Sequence, residues 1–566
     1  MKRMYLAAVF AALVTGALPI AAQETREEPS AHHKHYHEPD GGDQPSPTGS
    51  LAPRLQNLGK HTFPVSCASE KGQQYINQGV NLAYGFNHAE AGRSFREAAR
   101  LDPDCAMAYW GQALVLGPNI NAPMDPEAEP QARELVRKAQ ALASSASARE
   151  RALIEALSKR YTGDPAERKK ADVAYAAAMA QVAQKYPDDL DIATLYAESM
   201  MDLRPWNYWM RDGTPYAGTE EIVALLEKVM AQNAEHPGAL HLYIHLIEPT
   251  DTPERAEKAA DTLRGLMPGA GHIVHMPAHI YQRVGRYADS ASANERAIAA
   301  DEDYISQCRA QGLYPMAYYP HNLHFLWFAT TAQGRSAAAI DAAEKTAAQV
   351  SDESLAQMPM LAGFRVIPYW SLARFGKWDQ VLALPKPAQD PFLTGAWHYV
   401  RGLAFIGKGQ LDRAEAELKQ VQTIAARPSL DYAMFSPNSA KQILAIAPEV
   451  LAGELAAARK DYATAIGHLE RAVRLEEGLV YTEPNEWHYP PRLALGAILL
   501  AAGRPAEAET VYWQNLSRYP DNGWGLFGLA QALRAQEKTE EAALIEGRFQ
   551  RAWRDADIKL AASRIQ

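Results

Sequence analysis

Along nearly the whole chain, apolar and small residues recur three and four positions apart, the period of an amphipathic helix. The clearest block runs through Tyr75, Gly79 and Leu82, breaks, and resumes with Ala91, Phe95 and Ala98 before Pro103. Such a block predicts two short helices joined by a turn, each with one apolar face. No run alternates apolar and polar residues over a strand's length, so the predicted class is all-α. Two stretches leave the pattern. Gly117–Met124 is a turn-rich insertion, and Arg204–Gly213 is an aromatic loop within an insertion near 204–218. Loops held on a rigid scaffold often carry function, so the second is expected either to cap a groove or to plug a packing gap.

The helical block repeats. Gly402 with Ala414 and Leu418, Gly453 with Ala465, Leu469 and Ala472, and Gly496 with Ala508, Tyr512 and Pro520 reproduce its spacing. Turns at Gly285-Arg286, Gly334-Arg335 and Gly503-Arg504 join the paired helices. A period of about 34 residues with a small residue at the helix contact, an Ala-x3-aromatic step and a closing proline resembles the tetratricopeptide repeat. The overall pattern is similar to secreted bacterial tetratricopeptide proteins of unassigned role. That resemblance implies a right-handed solenoid of antiparallel helix pairs across roughly 70–545. It implies a binding scaffold and no particular reaction.

Composition changes the picture at the amino end. Lys2 and Arg3, the apolar run Leu6–Val14 and Ile20-Ala21-Ala22 form an export signal over residues 1–22. No later run is apolar enough to span a bilayer, so no integral membrane segment is expected after signal removal, and the mature chain is expected to be secreted or periplasmic. Residues 23–55 are polar, contain His32, His33, His35 and His37, and are expected to be disordered. The repeat array then occupies 56–566. The net charge of −10 and the lack of a basic tract argue against a nucleic-acid surface; oligomeric state is not legible. Three cysteines give no disulfide framework. Cys67 and Cys105 flank the first repeat and either pair in an oxidising compartment or stay as buried small hydrophobes.

Chemistry concentrates in the middle of the chain. Eight of the seventeen histidines lie between His236 and His324. Counting from the turn glycines and helix-starting prolines places His272, His275 and His279 on the inner stripe of one first helix, with His321 and His324 on the next. The same count puts His241, His245 and Glu248 on or beside that stripe one unit earlier, and Asp191, Thr194 and Glu198 on it in the unit before. In arrays of the kind this chain resembles, that stripe lines the ligand groove. Neutral imidazole is the commonest metal ligand, and helical neighbours three or four apart can offer two nitrogens to one ion. The candidate ligands are therefore His241, His245, Glu248, His272, His275, His279, His321 and His324, in number enough for one ion or two. The expected cofactor is a transition metal, copper, zinc or iron. Glu248 and Glu198 are candidate bases toward metal-bound water, or orienters of the ligands. Pro277 removes a hydrogen bond from any helix spanning 272–279, so a helix start near Met276 is expected. His61, His88 and His468 fall off the stripe and read as structural, and His236 as a helix-end residue.

Aromatics extend the groove. Tyr318, Tyr319 and Trp327 flank the last histidine pair, Trp397–Tyr399 and Trp487–Tyr489 begin later first helices, and Arg401 and Arg492 lie on the same side. There is no HExxH, no P-loop, no GxSxG elbow and no GxGxxG after a strand. Two readings remain. One is an exported metalloprotein, either a metal-dependent hydrolase or oxidoreductase or a metal-handling protein, taking a small molecule or peptide in the groove. The other is a periplasmic interaction scaffold that binds a peptide or envelope partner there without metal.

Overall fold

The computed structural model describes residues 49–308, 314–387, 390–435 and 437–565. The expected export signal and the histidine tract at 32–37 lie outside the described residues. Every regular element among the described residues is a helix; the only β pairings there are isolated bridges such as Asn119 with Ala122 and Trp209 with Pro215. Consecutive helices pack in antiparallel pairs, beginning with Glu70–Tyr84 against His88–Leu101.

The pairing follows from the small residues. An added Cβ at Gly79 would stand 2.7 Å from the Phe95 ring, at Gly453 2.8 Å from Leu469, and at Gly496 2.5 Å from the Tyr512 ring. These are the partners that the repeat register expects. Gly402 differs, because its close neighbour is Leu451 of the following Ile446–Ala458 helix, at 2.5 Å, rather than a side chain of its own pair. Gly334 and Gly503 end their helices at φ of 71° and 74°, left-handed values that a side chain would strain.

The chain divides into two compact units. The first takes in the residues up to Ile280 with Glu295–Tyr319, and the second Tyr281–Asn294 with Pro320 onward. In the first unit, chain ahead of the first helix is already packed. Ala52 and Phe63 are buried, Leu51 N–H donates to Glu97 Oε2 at 2.9 Å, and Arg54 donates to Gln78 Oε1 at 2.8 Å. The expected disorder therefore does not extend to residue 55, because donors of this segment meet side-chain acceptors on the first helix pair. A disulfide joins Cys67 to Cys105 and ties that segment to the third helix, Ala106–Leu116. The second unit is built around the fully buried rings of Trp370, Phe392, Tyr399, Phe405 and Tyr512. No described helix is long and apolar enough to cross a membrane.

Candidate functional site

The site lies in the first unit and begins with the helix Pro237–Ile247. His236 caps it, its Nδ1 accepting from Ala239 N–H at 3.2 Å, and Pro237 takes the first helical position, where no N–H is needed. Every residue of this helix is buried. His241 and His245 therefore point from one face into protein, with no water to satisfy their nitrogens. The facing element is the short helix Gly271–His275. Gly271 is required there, because a Cβ would collide with the Asp301 carboxylate. The helix stops at Met276 and a new one, Pro277–Arg283, starts on the proline. That is the break Pro277 imposes, and it turns His279 back toward the same region.

Three imidazoles converge. His241, His245 and His272 each offer a ring nitrogen within 4.8 Å of the other two, and all three are buried. Hydrogen bonding fixes two tautomers. His241 Nδ1 lies 2.6 Å from the Tyr84 carbonyl oxygen, which can only accept, so Nδ1 carries the proton and Nε2 the lone pair. His245 Nδ1 lies 3.1 Å from Glu248 Oε1, which likewise makes its Nε2 a lone-pair atom. His241 Nε2 stands 3.1 Å from His272 Nε2, while His245 Nε2 and His272 Nδ1 are buried with no hydrogen-bond partner among the described residues. Burial keeps the rings neutral. It holds His241 and His272 well below the usual imidazole value, helped by neighbouring imidazoles, and lowers His245 against the pull of Glu248.

Aromatic side chains enclose the trio. Phe86 sits 4.3 Å from the His241 ring, 5.7 Å from His272 and 5.9 Å from His245. Trp206, from the expected aromatic loop, meets His245 edge-on at 4.9 Å. Both aromatics hold left-handed backbone, φ 56° and 61°, which non-glycine residues adopt at a cost and mostly at functional sites. On the other side a π-helical turn, Tyr314–Tyr318, brings Tyr318 4.6 Å from the His272 ring and lets Tyr314 OH accept from His272 N–H at 3.1 Å. Asn121, in the turn-rich insertion, donates to Tyr318 OH at 3.4 Å. Both irregular stretches thus contribute side chains around the same histidines.

Glu248 and two further histidines continue the cluster. Glu248 is fully buried, with Oε1 toward His245 Nδ1 and Oε2 2.6 Å from His279 Nδ1. Burial alone would raise its carboxyl; His279 and His245 outweigh that and hold it down at about 2. His279 Nε2 lies 2.9 Å from His275 Nε2.

Glu198 and His324 join none of these contacts. Glu198 belongs to a separate charged group. Burial and the Asp202 carboxylate raise it to about 8 against the opposing Arg160 guanidinium, and Arg160 is paired with Asp202. Glu198 belongs to none of the metal-competent groups among the described residues. His321 and His324 fall in the second unit, where His321 meets Phe325 at 4.9 Å. His324 is not one of the gathered imidazoles. Its ring stacks on Trp327 at 5.5 Å and meets Phe364 edge-on, and it joins no metal-competent group among the described residues. Sequence reasoning read His61 as structural but missed its partner: Nε2 lies 3.0 Å from Asp191 Oδ1, beside His236 Nε2 at 3.3 Å. These are donors gathered on one carboxylate: His236 Nδ1 already accepts from backbone, so its Nε2 bears the proton and offers no lone pair. Tyr84 OH adds a third donor to Asp191, at 2.8 Å. Phe86 and Tyr84 were missed as well, having no signal in the sequence beyond their place at the end of the first helix.

No protein-family model matches the sequence, and no curated protein matches it. Among solved structures, the human IFIT1 dimer with m7Gppp-AAAA aligns over 80% of this chain and 90% of that one, at 14% identity and a TM-score of 0.31. The human IFIT1 dimer with PPP-AAAA aligns over 86% and 91%, at 12% identity and a TM-score of 0.29. Likeness at this level transfers no ligand. The repeat assignment rests on the chain's own glycine–aromatic contacts.

Proposed function

We propose that this chain is an exported helical-repeat metalloprotein that holds a transition-metal ion on His241, His245 and His272. The observation that carries the reading is the pair of fixed tautomers, which aims two lone pairs at one buried point beside a third imidazole. Leaving His245 Nε2 and His272 Nδ1 buried without a hydrogen bond is costly, and an ion on His245 Nε2 removes part of that cost. Two nitrogens about 2.0–2.1 Å from a tetrahedral ion are about 3.3 Å apart, close to the spacing of His241 and His272. Glu248 and the Tyr84 carbonyl act as the outer partners that orient ligating imidazoles, so Glu248 is a positioning residue in this reading rather than a ligand or base. Three neutral nitrogens suit copper or zinc, and the ion keeps a fourth position for water or a substrate atom. Export to an oxidising compartment is supported by the amino-terminal pattern and by the Cys67–Cys105 disulfide.

A scaffold that binds a peptide without metal is the second reading, and the 3.1 Å contact between His241 and His272 favours it in so far as it suits a plain N–H···N hydrogen bond. Burial works against it: the three rings are 0%, 1% and 2% exposed, leaving a peptide nothing to touch. Elemental analysis of protein purified from its native compartment separates the two. The metalloprotein reading expects at least one equivalent of copper, zinc or iron, lost in His241→Ala and His245→Ala. Metal-free protein that also takes up none of these ions on reconstitution would leave the scaffold.

A further inference from the structure

We infer that the centre is built for two ions, with a second transition-metal ion held between His275 and His279 and Glu248 shared as the positioning carboxylate of both sites. This rests on the metal reading above and extends it to the remaining histidines of the first unit. Glu248 Oε2 lies 2.6 Å from His279 Nδ1, an ion-pair distance at which the carboxylate favours the proton on that nitrogen and the His279 lone pair on Nε2. That atom faces His275 Nε2 at 2.9 Å. Opening the pair by a few tenths of an ångström gives the roughly 3.3 Å that two nitrogens of one tetrahedral ion require. His279 heads the turn that Pro277 starts, and His275 ends the helix before it, so the ring pair spans a joint in the backbone.

The carboxylate is the second argument. A buried anion needs both oxygens satisfied, and a single-ion site would use only one partner to orient its ligand. Here Oε1 serves His245 of the first set and Oε2 serves His279 of the second. One negative charge therefore stands behind a ligand of each set, which compensates positive charge on both sides of it. The two sets are also adjacent: the His272 and His275 rings stack at 6.0 Å, and those of His245 and His279 meet at 5.7 Å. Such neighbours allow the short intermetal separation, about 3.5–4 Å, of paired-ion sites. The first set supplies three imidazoles and the second two, so the second ion has more open positions. The exogenous ligand suited to the pair is a small oxygen donor, such as hydroxide or a carboxylate, bridging both ions.

The test is stoichiometric. Metal-free full-length protein is titrated with Zn(II) alone, desalted and analysed for bound zinc, with circular dichroism confirming the helical fold of each variant. The expected result is two equivalents in the parent chain, and one in His279→Ala and in His275→Ala. His241→Ala should lose the other one. Glu248→Gln should weaken both sites, by roughly ten- to a hundredfold, as loss of an outer-shell partner does. One equivalent in the parent, abolished by His241→Ala and untouched by His279→Ala, would overturn this inference and leave the single-ion reading standing. No bound zinc in the parent would overturn both. Loss of both ions in His279→Ala, with the fold intact, would also count against two separable sites.

Discussion

An imidazole becomes a ligand only when its neighbours decide where the proton sits. His241 is told by the Tyr84 carbonyl and His245 by Glu248, and in both cases the atom left with the lone pair is the one facing the cluster. Removing either ring should abolish binding at the first site, whereas His324→Ala, which strips a ring from Trp327 and Phe364, should leave metal content at the parent value. Elemental analysis of the three variants checks this, and a loss of metal in His324→Ala would contradict it. The pH dependence has a definite sign. Burial holds His241, His272 and His245 below the usual 6.5, so the unfolded chain binds protons at these groups more readily than the folded one. Their contribution is complete above about pH 6.5 and is lost as the pH falls from there. The metal-free chain should thus melt at a lower temperature at pH 5.5 than at pH 7.5; an equal or higher melting temperature at pH 5.5 would contradict the burial argument. At this scale the sequence was a partial guide. His241, His245, His272, His275 and His279 could be gathered from spacing because helical periodicity is local. Phe86, Tyr84 and Trp206 could not, because their roles depend on left-handed backbone and on contacts distant in sequence. Stripe position also says which side of a helix a residue occupies but not which ring it meets, as His324 beside Trp327 and Phe364 illustrates.

Among the elements, the register is carried by glycines that let large rings approach a neighbouring helix. Phe95 packs against Gly79 and Gly111, and Tyr512 against Gly496 and Gly528. Gly496→Ala forces a Cβ to within 2.5 Å of the Tyr512 ring, and overpacking of this kind costs about 1–3 kcal/mol. Gly467→Ala is the control: it lies in the helix Tyr462–Glu477 with only the end of the Arg471 side chain, 3.8 Å away, near its added Cβ. That change should stabilise by up to about 1 kcal/mol, because alanine outranks glycine in a helix interior. Thermal melts of the two variants are expected to move in opposite directions. This level was the most legible in the sequence, since a small residue in one helix and a ring in the next are both visible as letters. Gly402 marks the limit, because the sequence cannot say whether a small residue is small for its own pair or, as with Leu451, for the next helix.

At the scale of the whole chain, two compact units carry different contents: the first holds the five clustered histidines with Glu248, and the second an aromatic core. The disulfide between Cys67 and Cys105 ties the leading segment into the first unit, across a separation of 38 residues. Breaking it with Cys67→Ser is expected to cost about 2–4 kcal/mol, measured by denaturant unfolding, and a reductant should shift the parent chain in the same direction. Cys308, buried and unpaired as a disulfide, should not contribute to that shift. The proposed metal centre is the central claim, and X-ray absorption at the edge of the bound metal tests it most directly. Protein loaded with one equivalent of copper or zinc should give a first shell with three imidazole nitrogens at about 2.0–2.1 Å, with the outer-shell scattering of rigid rings. A shell of sulfur or of carboxylate oxygens alone, or metal that washes out before the spectrum is taken, would contradict it.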